Sequence, residues 1–234
     1  MASSEGTTYH VSVDFEAFKQ IYLAQNGKYL HKTGISCLVI GAVLTCVAIW
    51  MLVSSPSLET LGMVVLFLAI TIYGGVQATH PFTFFQTRKG EAYTYFASHG
   101  AEVTAGEALE DLSVEFDVTV EQLGFVERLA DGSAARRPWF TLTGDVASCP
   151  FGRVLPGDDG KNSSMLYNML GINAYLREGL EAEPLPVPAS VLEANPGLAD
   201  ELRSLVEKSR VTYGRKGDKA DEAATRALSD WMEG

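Results

Sequence analysis

Within ten residues the chain carries Arg128, Arg136 and Arg137, set around the stretch "ADGS" (130–133), and Trp139 follows two positions later. A guanidinium presents a rigid fork of N–H donors that matches the oxygens of a phosphate or carboxylate. An indole combines an apolar body with one polar N–H and suits a lipid headgroup layer. These residue types at this spacing point to recognition of an anionic headgroup or of a partner. Each basic residue held near an anionic surface contributes about 1 kcal/mol. The plainer alternative is ordinary surface charge that offsets Glu127 and Asp131.

Elsewhere the residues that could do chemistry are scattered. His10, His31, His80 and His99 lie far apart in sequence. His31 and His80 flank two apolar runs and could act as a pH-sensing pair, though two interfacial side chains are the simpler account. "GDDG" (157–160) lacks the ligand spacing of a calcium loop and reads as a turn. "NSS" at Asn162 is a glycosylation sequon by pattern only. Cys37, Cys46 and Cys149 show neither disulfide nor metal-ligand spacing, which fits a reducing compartment. There is no Gly-rich phosphate loop, nucleophile elbow or metalloprotease motif. The expectation is a non-enzymatic protein with no catalytic, cofactor-binding or metal-binding residues.

The elements that must position the arginines are legible as strands. In "SVEFDVTV", Val114, Phe116, Val118 and Val120 alternate with polar residues, the period of a strand with one apolar face. "GFVERL" predicts a second strand, and "ADGS" carries the Asp-Gly chemistry of a hairpin turn. "RPWFTLTG" reads as the next strand, with Pro138 near its start. "FGRVLPGDDGKN" offers one more strand and a turn. "SSMLYNMLGINAYLREGLEA" has the spacing of a helix, weakened by Gly171. "PLPVPASV" must be extended or an edge strand. "NPGLADELRSLVEKSR" predicts a helix capped at Asn195, with Leu198, Leu202, Leu205 and Val206 on one face. In the charged tail after residue 210, Ala224, Leu228 and Trp231 share a helical face; a partner-docking helix is the sharper reading and a disordered terminus the default. At the other end, "YHVSVDF" alternates like a short strand, and Phe15, Phe18, Ile21 and Tyr22 follow at helical spacing.

Charge divides the 234 residues unevenly. Residues 1–100 hold five basic and five acidic side chains, so the net charge of −11 sits entirely on the remainder. Such an acidic balance excludes a general nucleic-acid binder. Between Lys32 and Arg88 the sole formal charge is Glu59. Inside that stretch Thr33–Val53 is a run of roughly 31 Å as a helix, about one hydrocarbon thickness. Leu61–Ala78 is a second run, long enough to span if Leu58 contributes. Neither has a polar stripe, so every face must meet something apolar. Pro56 ends the first helix, and Ser55 or Ser57 can cap the second. Trp50 and Tyr73 fall at interfacial depth, and the aromatic stretch from Phe82 to Phe96 suits a membrane-proximal connector. Gly34, Gly41, Gly74 and Gly75 permit close packing, and Thr45 and Thr71 read as backbone-bonded hydroxyls. Lys28, Lys32, Arg88 and Lys89 flank the pair on one side, and the turn has no Lys or Arg. The positive-inside rule then places both termini in the cytoplasm of a two-crossing cell-membrane protein.

The expected layout is α+β: a cytoplasmic strand and helix at 1–32, a transmembrane hairpin at 33–80 (33–53 and 58–78), a cytoplasmic β-rich domain at 81–210 ending in a helix, and a charged tail at 211–234. In "EQLGFVERLADGSAARRPWFTLTGDV" and "LPVPASVLEANPGLADELRSLV" this layout resembles the YcxB-like family of bacterial membrane proteins. Pro138-Trp139 match the family's Pro-Trp step, and residues 185–206 match its proline-bearing strand and closing helix. The stretch from Lys161 to Ala182 departs from the pattern as an insertion. The resemblance implies a small pleckstrin-homology-like cytoplasmic domain and no particular activity. Its partners would be the bilayer and another membrane or cytoplasmic protein, with homo-oligomers compatible. A scaffold or regulatory module is one expectation; an accessory subunit of a membrane transport assembly is the other.

Overall fold

The computed structural model describes residues 6–80, 89–103, 108–158, 183–213 and 222–233. The helix read over 163–182, the sequon at Asn162 and Phe82, Phe84 and Phe85 lie outside the described residues. The chain forms two compact units, Asn26–Gly90 on one hand and Met1–Gln25 with Glu91–Gly234 on the other.

Two helices dominate the first unit: α1 (Phe15–Ser54), whose early turns belong to the other unit, and α2 (Leu58–Thr79). Helix α1 runs without a break from the amphipathic turns that follow β1 through the first apolar run. Pro56 stops it. Ser57 then caps α2 in a reciprocal box, its Oγ accepting from Thr60 N at 3.1 Å while Thr60 Oγ1 accepts from Ser57 N at 3.1 Å. Small residues let the helix backbones meet. A Cβ on Gly34 would lie 2.5–2.9 Å from atoms of Ala78, and one on Gly41 2.7–3.0 Å from Thr71. Gly74 lies against the backbone of Cys37 and Leu38. Thr45 and Thr71 donate to the carbonyls of Gly41 and Phe67, at 2.7 and 2.8 Å, so their hydroxyls are satisfied within their own helices. Both helices are long and apolar enough to cross a membrane, and only 17% and 11% of their most apolar stretches are buried.

The second unit is built on two antiparallel sheets. The first has the order β1 (Thr8–Asp14), β2 (Ser113–Val120), β3 (Gly124–Leu129), β4 (Ala134–Pro138). The second has the order β5 (Ala147–Cys149), β6 (Gly152–Leu155), β7 (Leu185–Pro188). Period-two alternation buries Tyr9, Val11 and Val13 of β1 with Val114, Phe116, Val118 and Val120 of β2. Phe18 of α1 packs on Tyr95 and Phe96 of α3 (Lys89–Ser98). Tyr9 Oη donates to Pro186 O at 3.4 Å and ties β1 to β7. After β7 come α4 (Ala189–Ala194), α5 (Leu198–Tyr213) and α6 (Glu222–Glu233). On α5, Leu198, Leu202 and Val206 are fully buried.

Two expectations need correction. Pro138 closes β4, and Trp139–Thr141 make a 3₁₀ turn where "RPWFTLTG" reads as a strand. Thr141 Oγ1 donates to Pro138 O at 2.7 Å, and Trp139, Phe140, Thr141 and Leu142 are all buried, which a two-faced strand would not require. Asn195 supports α5 through its carbonyl, which accepts from Leu198 N at 3.1 Å, and the helix begins at Leu198. "GDDG" is described only as far as Asp158. There Gln25 clamps Gly157 through both backbone groups, and Arg210 Nη1 donates to Asp158 Oδ2 at 2.8 Å.

Candidate functional site

The arginines are positioned by the β3–β4 hairpin. At its turn Gly132 takes a φ of 86°, which a Cβ would strain. Asp131 Oδ1 accepts from Ser133 N at 2.8 Å and from Ser133 Oγ at 2.6 Å. These bonds hold the Asp131 carboxyl below its usual range. The turn sets the register Phe125↔Arg137, Val126↔Arg136 and Arg128↔Ala134. Side chains alternate across a sheet, so this register sends Arg128 and Arg136 to one face and Arg137 to the other.

Arg137 thus leaves the expected patch and enters the interior. Its Nε donates to Glu127 Oε2 at 2.6 Å, and its Nη2 donates to Glu183 Oε2 at 2.6 Å. Trp139 is also inside, fully buried, with Nε1 donating to Glu121 O at 2.9 Å. Of the four residues expected to meet a headgroup or partner, the fold brings together Arg128 and Arg136 on the outer face and commits Arg137 and Trp139 to the core.

Around Arg137 lies a buried polar cluster. His99 Nε2 is 3.7 Å from Glu183 Oε2, and its Nδ1 is 2.8 Å from Tyr95 O, a carbonyl that can only accept. The His99 ring lies between Tyr95 and Phe116, with centroids 4.3 and 4.8 Å away. Burial and then the charge of Glu127 push the phenol of Tyr9 far above its ordinary value. Tyr95 is raised by the same causes and by Glu183, with Arg137 opposing. Ligand atoms of His99, Glu127 and Glu183 all lie within 4.8 Å of one another, close enough to share a metal ion. The guanidinium of Arg137 already bonds Oε2 of both carboxylates, so a cation fills that place without a metal. Charge-assisted bonds from Arg137 join β3, β4 and the segment before β7.

Outside, the face divides by charge. On β1 and β2, His10 Nδ1 lies 2.9 Å from Asp117 Oδ1 and Nε2 lies 3.9 Å from Glu115 Oε2. On β3 and β4 stand Arg128, exposed, and Arg136, whose Nε is buried with no hydrogen-bond partner among the described residues. Arg128 and Arg136 are diagonal cross-strand neighbours, a separation of roughly 7–8 Å that two long side chains can close on one anion. No protein-family model matches this chain, and no curated protein or solved structure matches it. Function is therefore read from these two faces.

The inner cluster escaped sequence reasoning. One signal for it was present: in "GFVERL", Glu127 has the parity of Phe125 and Leu129, so a core-facing strand carries a carboxylate on its apolar side. Nothing in the sequence pointed to His99 or Glu183 as its neighbours. The proposed His31–His80 pair is not a contact among the described residues; His31 Nδ1 lies 3.1 Å from Ala78 O.

Proposed function

We propose that this protein is a membrane-anchored, non-enzymatic module whose sheet domain meets the anionic inner leaflet through Arg128 and Arg136. In this reading the apolar run of α1 and the whole of α2 cross the bilayer, both termini are cytoplasmic, and the two helices serve as the anchor. Among the described residues, seven strands in two antiparallel sheets, followed by a helix after the seventh, support a pleckstrin-homology-like domain of the YcxB-like kind. The observation that carries the reading is Arg136. A half-buried guanidinium whose buried Nε has no acceptor among the described residues is costly to keep unless one reaches it from outside. Arg128 lies diagonal to it on the same face. A protein partner with clustered carboxylates, or a neighbouring subunit of a transport assembly, would satisfy the same donors; Gly34, Gly41 and Gly74, which such an assembly could use, are already packed within the hairpin.

The test uses the full chain, because a fragment starting after the hairpin would lack β1 and so a strand of the sheet. The protein is placed in nanodiscs of phosphatidylcholine with or without phosphatidylglycerol, and hydrogen exchange of the β3–β4 hairpin is compared. Protection that appears with phosphatidylglycerol and disappears in the Arg128→Ala/Arg136→Ala variant supports the reading. Equal exchange in both discs would remove it.

A further inference from the structure

The tail does more than trail from the domain. Helix α6 is amphipathic, with Leu228 only 2% exposed. Tyr213 Oη donates to Ala224 O at 3.3 Å and fixes its start against the end of α5. Near its end, Trp231 Nε1 donates to Glu121 Oε2 at 2.6 Å. Glu121 therefore accepts from two indoles, the buried Trp139 at its carbonyl and Trp231 at its carboxylate. Trp231 reaches this place because Gly124 has no side chain: a Cβ there would lie 2.5 Å from Trp231 Cη2. Gly124 has the parity of Val126 and Arg128, so the notch opens on the outer face. Val126 is on that face yet only 2% exposed. Helix α6 also packs on β4, the strand that carries Arg136.

We propose that α6 is an autoinhibitory strap, seated by Trp231 in the Gly124 notch so as to withhold the Arg136 side of the outer face from anionic lipid. The inference rests on the function proposed above and adds its regulation. Trp231 is a suitable latch. Its single hydrogen bond runs to a partly exposed carboxylate in the β2–β3 loop, so release costs that charged bond, the indole contact, the burial of Leu228 and the Tyr213–Ala224 bond, and leaves the sheet ladder intact. Eight residues, "GRKGDKAD" (214–221), join α6 to α5 and contain no large apolar side chain that would hold the helix in place by itself. With α6 off, Arg136 and Arg128 present two guanidinium forks side by side.

Full-length protein in phosphatidylcholine nanodiscs is mixed with separate phosphatidylglycerol vesicles, and the fraction that sediments with them is measured alongside hydrogen exchange of residues 222–233. Trp231→Ala should raise exchange of α6 and raise capture about fivefold, the factor that one further arginine at an anionic surface is worth. Adding Arg128→Ala and Arg136→Ala should abolish the gain. Unchanged exchange in Trp231→Ala would overturn the latch. Released α6 with unchanged capture, while Arg128→Ala/Arg136→Ala still lowers capture of the parent chain, would overturn the strap and leave the lipid contact standing. Capture indifferent to the arginines in every background would overturn the lipid contact and the strap with it. Because Trp231 is partly exposed at the surface, its loss leaves the sheet core intact, and a chain ending at Tyr213 provides a second route to the same released state.

Discussion

Glu127 and Arg137 face each other on the inner side of one β-hairpin, Oε2 to Nε at 2.6 Å, with Glu127 2% exposed. A buried pair of this kind is a weak source of net stability, yet removing one partner leaves a buried charge uncompensated. Arg137→Ala would leave Glu127 and Glu183 within 4.8 Å of each other without the guanidinium between them. The expected loss is about 3–5 kcal/mol, seen as a lower unfolding midpoint of the purified protein in detergent. Arg137→Lys should recover only part of it, since an ammonium cannot bridge two carboxylates as a planar fork does.

Alkaline pH should unfold the sheet domain through its buried tyrosines. Tyr9 and Tyr95 have folded-state values raised above the unfolded value of 10.0. Above that value the unfolded chain loses phenolic protons that the folded chain keeps, so stability is full below about pH 10 and declines as pH rises beyond it. Tyr95→Phe should flatten this decline, which phenolate absorbance and unfolding midpoints between neutral and strongly alkaline pH would follow. An unchanged alkaline limb in both Tyr9→Phe and Tyr95→Phe would refute the assignment.

At acid pH the hairpin turn has the opposite sign. Asp131 is held below 3.8 by the Ser133 hydroxyl and amide. Its contribution is present above the unfolded value and is lost as pH falls through the lower folded value. Ser133→Ala removes the hydroxyl donor, and carbon NMR of the Asp131 carboxyl should show its titration moving up toward the ordinary range.

The two neighbouring glycines of α2 should respond differently to one methyl group. Gly74→Ala drives a Cβ into the backbone of Cys37 and Leu38, and overpacking of this sort costs about 1–3 kcal/mol. Gly75→Ala meets only Leu38 Cδ1 at 3.7 Å, an ordinary contact, and should be neutral or gain up to roughly 1 kcal/mol of helix propensity. Thermal unfolding in detergent distinguishes the two; equal destabilisation would refute the close approach at Gly74.

The proposed topology makes Glu59 an outside residue. A Glu59→Cys variant, with Cys37, Cys46 and Cys149 replaced by Ser, should react with a membrane-impermeant maleimide on intact cells, and a cysteine placed at Ser229 should react only after permeabilisation. Reversal of that pattern would sink the orientation.

Much of this fold can be read along the chain, because periodicity and punctuation are local. Val114 to Val120 alternate as a strand must, Asp131 and Gly132 turn the hairpin, and Pro56 with Ser57 separates two helices. The misreadings are instructive. "RPWFTLTG" reads as a strand after the hairpin turn, but Trp139 bonds Glu121 O from the interior and Trp139–Thr141 close a 3₁₀ turn. The helix read over 163–182 lies outside the described residues.

The arginines mark where local information stops. Parity alone separates Arg136 from Arg137 by one residue and hence by one face of a sheet. Which face is the interior depends on partners that sequence distance hides: Glu183 is 46 residues from Arg137, and Glu121 is 110 residues from Trp231. By itself the sequence determined β1, β2 and β3, the Asp131–Gly132 turn and the two long apolar helices, since hydrophobic spacing, proline and glycine act on their own neighbourhoods. Only the tertiary structure decided that Arg137 is a core residue, that His99 and Glu183 gather beside it, and that the C-terminal tryptophan fits at Gly124. Those outcomes come from packing between segments remote in sequence, where the cost of burying a charge is settled by whatever the fold brings next to it.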